Sequence, residues 1–337
     1  YGIPVDSTDL PVTERYLDSI RMAGAVTILN YSKWLNQVAI KTTDAAALAK
    51  INAFPFVAGS TAIASFTNGA IQPVNKYLEI PENQVLTGDA PESSLTDQYD
   101  YGLSHGQVAI HNGQFLHYLG FIGQGMQIAV LDAGFYHYQN LPTFDSIRIN
   151  NQILGTWDFV KNEESVNEDH QHGMQCLSTI AANMPGMFVG TAPKASFYLY
   201  RTEDANSEYP IEVQNWAVGA ERADSLGVDV YSVSLGYTTF DDPALNYTYN
   251  NMDGNTTMIA KAADLAAKKG ILVVVAAGNE GTSSWHYLST PSDADSVLAV
   301  GAVDSLGNIA GFSSYGPSSD NRIKPNVASV GLMTAVA

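Results

Sequence analysis

MQIAVLDAG, residues 126–134, is an apolar run of strand length that ends on the carboxylate of Asp132 and a turn of small residues. An uninterrupted apolar run is typical of a strand buried on both faces of a sheet. Ligands of open α/β sheets bind beyond the carboxyl ends of the strands, so Asp132 would lie at the functional edge. An aspartate at a strand end is also common as a turn or cap residue, and alone it indicates little.

Strand and helix patterns alternate from this run to the end of the chain. The further strand patterns are residues 195–200, 228–234, 271–276 and 297–303, and the helix patterns are 173–182, 213–226 and 258–269. Such alternation, with several strands apolar throughout, predicts a parallel sheet with helices on both faces. The predicted fold class is therefore α/β.

The N-terminal part has a different pattern, which predicts a small α+β domain. Its elements would be a helix over 13–24, strands over 25–31 and 35–41, a second helix beginning after Asp44 and a strand within 56–66. A first strand of this domain would lie before Tyr1. Pro, Asn, Asp and Ser are frequent between residues 68 and 101, as in exposed linkers. The predicted domains are thus 1–98 and 99–337.

Composition argues against two classes of partner. The 34 acidic and 16 basic residues give a net charge of −18, which repels nucleic acid and anionic lipid. The longest apolar stretches, such as residues 271–277, are far shorter than the roughly 20 residues of a membrane-spanning helix. The single cysteine, Cys176, excludes an internal disulfide framework but leaves the redox compartment open.

Two more polar residues stand at element boundaries. His172 lies in EDHQHGMQCLSTIAAN, where a polar run meets a helix of small residues, so its ring would project from a helix N-terminus. Asn279 closes the apolar strand of VVVAAGNEG, among residues that tolerate positive φ. Taken singly, His172 is equally a surface or cap residue and Asn279 a turn residue.

Together and in this order, these segments resemble the subtilisin-like serine peptidases, or subtilases. IAVLDAG resembles the Asp motif of the family, HQHGMQ its His motif and AAGNEG its oxyanion Asn motif. VYSVSLG (230–236), GTAPKA (190–195) and FSSYGP (312–317) are also similar to family segments. The resemblance extends from about Gly102 to the end of the chain.

The resemblance implies a secreted or envelope-located serine endopeptidase, made as a proenzyme, that requires no cofactor. In that chemistry His172 would take the proton of a serine hydroxyl, Asp132 would hold the imidazole and the Asn279 amide would stabilise the oxyanion. An extended polypeptide substrate would pair with two backbone walls. The wall residues would be Ser234, Leu235 and Gly236 on one side and Ala276, Ala277 and Gly278 on the other.

The segment that follows His172 differs from the common family pattern at two positions and carries a cysteine at a third. Met174 and Gln175 stand where the family usually has Thr and a second His, which we interpret as subfamily variation. Cys176 lies four residues after His172, on the same helical face, and some subtilases are similar in having a thiol there. The alternative is that Cys176 is a small buried hydrophobic residue.

The nucleophile is the largest departure. RIKPNVASVGLMTAVA, residues 322–337, resembles the family segment that leads into the Gly-Thr-Ser motif of the catalytic serine. The Gly-Thr-Ser at residues 281–283 follows the oxyanion motif directly and is in the wrong place. We therefore expect that this chain lacks the nucleophile and is inactive alone. The alternative is a catalytically silent subtilase fold that binds peptides.

Two regions remain open. Residues 1 to about 95 resemble the family's propeptide by position, which implies an intramolecular inhibitor removed by a cut between Gln84 and Tyr101; a retained accessory domain is the alternative. Asp241, Asp242 and Asp253 lie in a loop that could hold structural Ca²⁺, although their spacing fits no known loop and a solvated acidic loop is favoured.

Overall fold

The structure, a computed structural model, describes residues 2–64, 77 and 97–337. Its N-terminal part consists of α1 (Glu14–Arg21), β1 (Val26–Ser32), β2 (Gln37–Thr42) and α2 (Ala45–Asn52). The two strands form an antiparallel hairpin, and Asp44 caps α2 by accepting a hydrogen bond from the backbone N–H of Ala47. The predicted order of helix, two strands and helix is confirmed.

The strand expected within residues 56–66 does not form over the described part of that range, which is turn and irregular backbone. Residues 58–64, AGSTAIA, are mostly small and offer little side-chain surface to pack on a sheet. Residues 65 and 66, and most of the predicted linker between 68 and 101, lie outside the described residues.

A seven-stranded sheet is the centre of the larger part of the molecule. Its strands are β3 (Gln127–Asp132), β4 (Ile153–Asp158), β7 (Ser196–Arg201), β8 (Val230–Val233), β9 (Leu272–Ala276), β10 (Leu298–Val303) and β11 (Val327–Val330). They lie in the order β11-β10-β9-β8-β3-β7-β4, and each neighbouring pair is parallel. A separate two-stranded hairpin pairs β5 (Asn183–Met184) with β6 (Phe188–Val189).

Helices cover both faces of this sheet. They are α3 (His105–Ala109), α4 (Gly113–Tyr118), α5 (Asp145–Ile149), α6 (His172–Ala181), α7 (Pro210–Ser225) and α8 (Met258–Lys268). One core contains Trp216 of α7 and Ala263 of α8, and the other contains Ile147 of α5 and Leu177 of α6. The predicted α/β class is confirmed. Each helix in the described ranges is too short or too polar to cross a membrane.

The strand order reverses direction beside β3. The chain places β4 and β7 on one side of β3 and then crosses to β8, β9, β10 and β11 on the other. The loops that follow β3 and β8 therefore diverge and leave a crevice at the carboxyl edge, which is where open α/β sheets bind ligands.

The N-terminal hairpin packs on the outer side of α7 and α8. Trp34, in the turn between β1 and β2, is buried in the same core as these helices. Glu221 of α7 accepts hydrogen bonds from the Ser32 hydroxyl and from the backbone N–H groups of Lys33, at 2.9 Å, and Trp34, at 3.2 Å. One buried carboxylate thus satisfies the donors of the hairpin turn.

Polar contacts extend this packing on either side of the hairpin turn. Asn30 and Asn215 pair through their amides at 2.8 Å, and Lys268 and Lys269 of the α8 end form ion pairs with Asp6 and Asp9, each at 2.7 Å. We refer to this region, from the hairpin to α7 and α8, as the docking face.

Candidate active site

Asp132 and His172 form a hydrogen-bonded ion pair at the carboxyl edge of the sheet. Asp132 is the last residue of β3 and is fully buried. Its Oδ1 accepts hydrogen bonds from Nδ1 of His172 and from the backbone N–H of Ala133, each at 2.7 Å. His172 is the first residue of α6, as the sequence pattern predicted. The bond to Asp132 fixes the ring and leaves Nε2 as the nitrogen available to a reactant.

Glycine allows this pair to form. A Cβ on Gly173 would lie 2.6 Å from the carbonyl oxygen of Gly134 and 2.7 Å from the Asp132 Cβ, so no larger residue permits α6 to approach β3 this closely. Met174, the departure from the family pattern, is buried in the core below α6, whereas Gln175 lines the cavity beside His172. Neither residue interrupts the pair.

The environment of His172 favours its protonated form. Burial lowers the pKa of the imidazole, but the Asp132 carboxylate and the Cys176 thiol raise that pKa by more, so that it lies well above its ordinary value. Cys176 Sγ lies 3.9 Å from His172 Nδ1, one helical turn along α6. The predicted proximity of this cysteine and histidine is present in the structure.

The expected oxyanion donor and cleft walls lie at and just beyond the carboxyl ends of β8 and β9, two neighbouring strands of the sheet. Asn279 follows β9 after Gly278, whose φ of +113° is a conformation that favours glycine, and the asparagine is exposed. Ser234, Ala276, Gly278 and His172 border both of two adjoining cavities of about 630 and 510 Å³. Leu235 and Gly236 border the smaller cavity, and Ala277 borders the larger.

Other predicted residues lie in turns and loops, and of these Asp241 also borders the smaller cavity. Ser283 donates its hydroxyl to Glu280, so the Gly-Thr-Ser at 281–283 belongs to a local turn. Asp241, Asp242 and Asp253 each accept a backbone N–H bond within local or loop contacts. In the described ranges, three ligand atoms from His, Cys, Asp or Glu side chains lie within 4.8 Å of one another only at Asp132, His172 and Cys176. The carboxylates of Asp241, Asp242 and Asp253 therefore do not converge on one Ca²⁺ site.

Arg201 is a site residue that the sequence analysis missed. It ends β7 and is buried, with Nη1 at 2.8 Å from Asp158 and Nε donating to the carbonyl oxygen of Ala133 at 3.1 Å. Asp169, in the loop before His172, also lies 3.3 Å from this guanidinium. Arg201 therefore ties together the segments that carry Asp132 and His172. The sequence feature that could have identified Arg201 is a charged residue at the end of the aromatic run SFYLYR.

Tyr77 and Glu203 were also missed. The Tyr77 ring lies over His172, with ring centroids 4.2 Å apart, and stacks on His170 at 4.7 Å. Its hydroxyl donates to Oε2 of Glu203 at 2.7 Å, while Tyr237 donates to the other oxygen of the same carboxylate. No local pattern joins Tyr77 to Glu203, which lies 126 residues away.

The fold and the site define an α/β protein with an aspartate–histidine pair and an exposed amide at the carboxyl edge of a parallel sheet. A sequence profile of the subtilase family, peptidase S8, matches residues 123–335, and the chain belongs to that family. A profile of the peptidase S8 propeptide domain of Bacteroidota matches residues 1–77.

Several bacterial proteases are similar to this chain. An alkaline protease of Alkalihalobacillus alcalophilus is 31% identical over 243 residues, covering 71% of this chain and 54% of the relative. Serine protease AprX of Bacillus subtilis (strain 168) is 29% identical over 68% of this chain and 50% of its own length. Subtilisin BL of Lederbergia lenta is 33% identical over 65% and 69%, respectively. The chain spans about half the length of the first two.

Proposed function

We propose that this chain supplies the propeptide, the Asp–His pair and much of the substrate cleft of a secreted serine endopeptidase. His172 takes the proton of the attacking serine, Asp132 holds the imidazole tautomer and stabilises the imidazolium, and Asn279 donates to the oxyanion. The observation that carries the proposal is the 2.7 Å bond between Asp132 Oδ1 and His172 Nδ1 at the rim of the peptide-sized cleft.

The roles of the three residues follow from their environments. A buried carboxylate on Nδ1 stabilises the positive charge that His172 gains when it takes a proton. Asn279 is exposed beside the cleft, so its amide is free to turn toward an oxyanion. No step requires a cofactor, and the three loop carboxylates do not support a calcium site. Secretion is typical of the family and is proposed for this protein on that basis.

The nucleophile would come from sequence that follows Ala337 in a longer gene product. Among the described residues, no hydroxyl forms a hydrogen bond to Nε2 of His172, and Ser283 is bonded to Glu280. We therefore propose that residues 1–337 alone hydrolyse no peptide bond. The division into 1–98 and 99–337 is part of this proposal, with the first region acting as the inhibitor.

Placement of the N-terminal region supports the inhibitor role. The hairpin packs on α7 and α8, the carbonyl of Ile63 accepts the N–H of Ile211 at the start of α7, and Tyr77 lies on the histidine. These contacts run from the outer helices to the carboxyl edge of the sheet with Asp132, His172 and Asn279, which we call the reacting edge. N-terminal sequencing of the secreted product tests the role: a mature chain that begins after residue 84 is expected, whereas one that begins near Tyr1 favours a retained accessory domain.

A catalytically silent peptide-binding subtilase is the second candidate, favoured by a cleft that is complete in its walls. Sequencing the gene beyond Ala337 and treating its full product with a fluorophosphonate separate the two. The peptidase proposal expects a Gly-Thr-Ser followed by a small residue and Pro, and labelling of that serine. A full-length product without the motif and without labelling would support the binding module instead.

Cys176 gives a separate test of the cleft. A mercury adduct on Sγ, which lies 3.9 Å from Nδ1 of His172, would displace the ring from Asp132. We expect mercurials to inhibit the full-length enzyme and to leave a Cys176→Ser variant active. Full activity after stoichiometric modification of Cys176 would show that the thiol does not matter to the site.

A further inference from the structure

Glu203 stands at a position from which it can select substrates. It lies two residues beyond β7 and is 3% exposed, yet its carboxylate borders the smaller cavity beside His172. One carboxylate oxygen is occupied by the hydroxyl of Tyr237, which is itself buried. The other oxygen, Oε2, accepts a hydrogen bond at 2.7 Å from the hydroxyl of Tyr77, which borders the same cavity.

Tyr77 shows what kind of side chain fits this position. Its ring lies on His172 and His170, and its length brings the hydroxyl to Glu203. Burial, followed by the carboxylates of Glu203 and Asp132, raises the pKa of the phenol well above its ordinary value, so the hydroxyl stays protonated and remains a donor. Tyr77 is also the last residue matched by the propeptide profile.

We infer that Glu203 makes the cleft selective for a tyrosine side chain at the substrate position that contacts His172. Tyr77 is the internal occupant of this position, and substrates compete for it with the same ring and hydroxyl. The inference rests on the proposed peptide cleft, and it adds a side-chain preference that the backbone walls do not provide.

Phenylalanine is the discriminating comparison. It keeps the ring contacts with the two imidazoles but lacks the hydroxyl that donates to Oε2 of Glu203. A hydrogen bond to a charged group of this kind corresponds to about a tenfold or larger difference in affinity. Lysine has a positively charged donor but no ring. Comparing the Tyr and Lys peptides therefore distinguishes ring stacking with a hydrogen bond from simple electrostatic attraction to the carboxylate.

The first test measures binding and needs no hydrolysis. The 337-residue chain carrying Tyr77→Ala is titrated by calorimetry with acetyl-Ala-Ala-X-Ala-amide, where X is Tyr, Phe or Lys. We expect the Tyr peptide to bind about tenfold more tightly than the Phe peptide. Adding Glu203→Gln should reduce that ratio to about threefold or less, because one acceptor oxygen becomes a donor. Adding Asp242→Asn is the charge-matched control, and it should leave the ratio unchanged.

Equal affinity for Tyr and Phe, tighter binding of the Lys peptide, or no binding of any of the three would each overturn the inference. The result is independent of whether the longer gene product hydrolyses peptides, so failure of the proposed peptidase activity and failure of this selectivity are distinguishable.

A second test covers the case in which Tyr77→Ala disturbs folding. Tyr77→Phe keeps the aromatic ring and removes only the hydroxyl. Diethyl pyrocarbonate modifies exposed imidazoles, so the rate at which it modifies His172 reports how often the ring of residue 77 moves off His172. Mass spectrometry separates His172 from His170. The rate of His172 modification should be about tenfold higher in Tyr77→Phe than in the chain with Tyr77. Equal rates in the two chains would overturn the inference.

Discussion

The reacting edge of the sheet and the docking face of α7 and α8 use the same kinds of side chain in opposite ways. At the docking face, the Glu221 carboxylate is filled by three donors from the hairpin turn, and Trp34 is buried. At the reacting edge, Asn279 is exposed and Oδ2 of buried Asp132 has no hydrogen-bond partner among the described residues.

This contrast separates the residues that stabilise the fold from those proposed to react. A buried polar group stabilises a fold when its partners satisfy it, and an unsatisfied one costs free energy. The docking face therefore holds two parts of the chain together through the filled Glu221 carboxylate and the buried Trp34 ring, while the reacting edge leaves the exposed Asn279 amide available to a substrate. Substitutions at the two regions should separate into effects on unfolding and effects on rate.

The largest effect is expected from His172→Ala at the reacting edge. In the proposed mechanism His172 is the group that takes the serine proton, so kcat of the full-length product should fall on the order of 10⁶-fold, the size known for subtilisin, a relative of this chain. Initial-rate kinetics on a peptide substrate measure the change. A loss of less than about tenfold would show that another group acts as the base.

Trp34→Ala should have the largest effect at the docking face. It removes a buried indole from the core shared with α7 and α8 and should lower the free energy of unfolding of the 337-residue chain by about 3 to 5 kcal/mol. Denaturant titration measures it. After the N-terminal region has been removed, the rate of the mature product should be unchanged.

Trp34→Phe is the matched control for this change. The indole Nε1 is buried without a hydrogen-bond partner among the described residues, so the control keeps the ring and removes an unpaired donor. We expect a cost below about 1.5 kcal/mol. If both variants lose the same free energy of unfolding, the site requires the specific shape of the indole, and burial of a hydrophobic ring alone does not explain the effect.

Asn279→Ala should show the reverse of the Trp34→Ala result. Asn279 is the proposed oxyanion donor, and loss of one such donor costs about 10²- to 10³-fold in kcat, the range measured for the oxyanion asparagine of subtilisin. Because Asn279 is exposed, the free energy of unfolding should stay within about 0.5 kcal/mol. A variant that unfolds more easily but retains its rate would contradict the division between the two regions.

Sequence patterns predicted the strands that lie inside the sheet and missed those at its edges. Five strands have neighbours on both sides, and their apolar or aromatic runs are readable from the sequence: β3, β7, β8, β9 and β10. β4, ILGTWD, and β11, VASV, are the two edge strands and are only partly buried. An edge strand has less apolar surface to bury, so its sequence carries a weaker signal.

The site divides in a similar way. The positions of Asp132, His172 and Asn279 were predictable because each lies at or just beyond the boundary of a regular element, while their catalytic roles stay a prediction. Arg201 and Glu203 follow or close a strand as well, but their roles depend on partners from distant segments. Tyr77 is the extreme case, since its position on His172 is a tertiary contact with no local pattern.

The titration of His172 links the two kinds of effect and gives the smallest expected change. The raised pKa of the folded imidazole means that its protonated form contributes stability in full below about pH 6.5, the unfolded value. This contribution is lost as pH rises through the folded value. The difference in unfolding free energy between the 337-residue chain and its His172→Gln variant should therefore shrink with rising pH.

Activity should have the opposite dependence on pH, because in the proposed mechanism only neutral His172 accepts the serine proton. Below the folded pKa, kcat/KM of the full-length product should fall by about tenfold per pH unit, with a midpoint above 6.5. His111→Gln, at an exposed histidine, is the control for both series. A stability difference that grows as pH rises would mean that the neutral imidazole, and not the Asp132 ion pair, is the form that the folded site prefers.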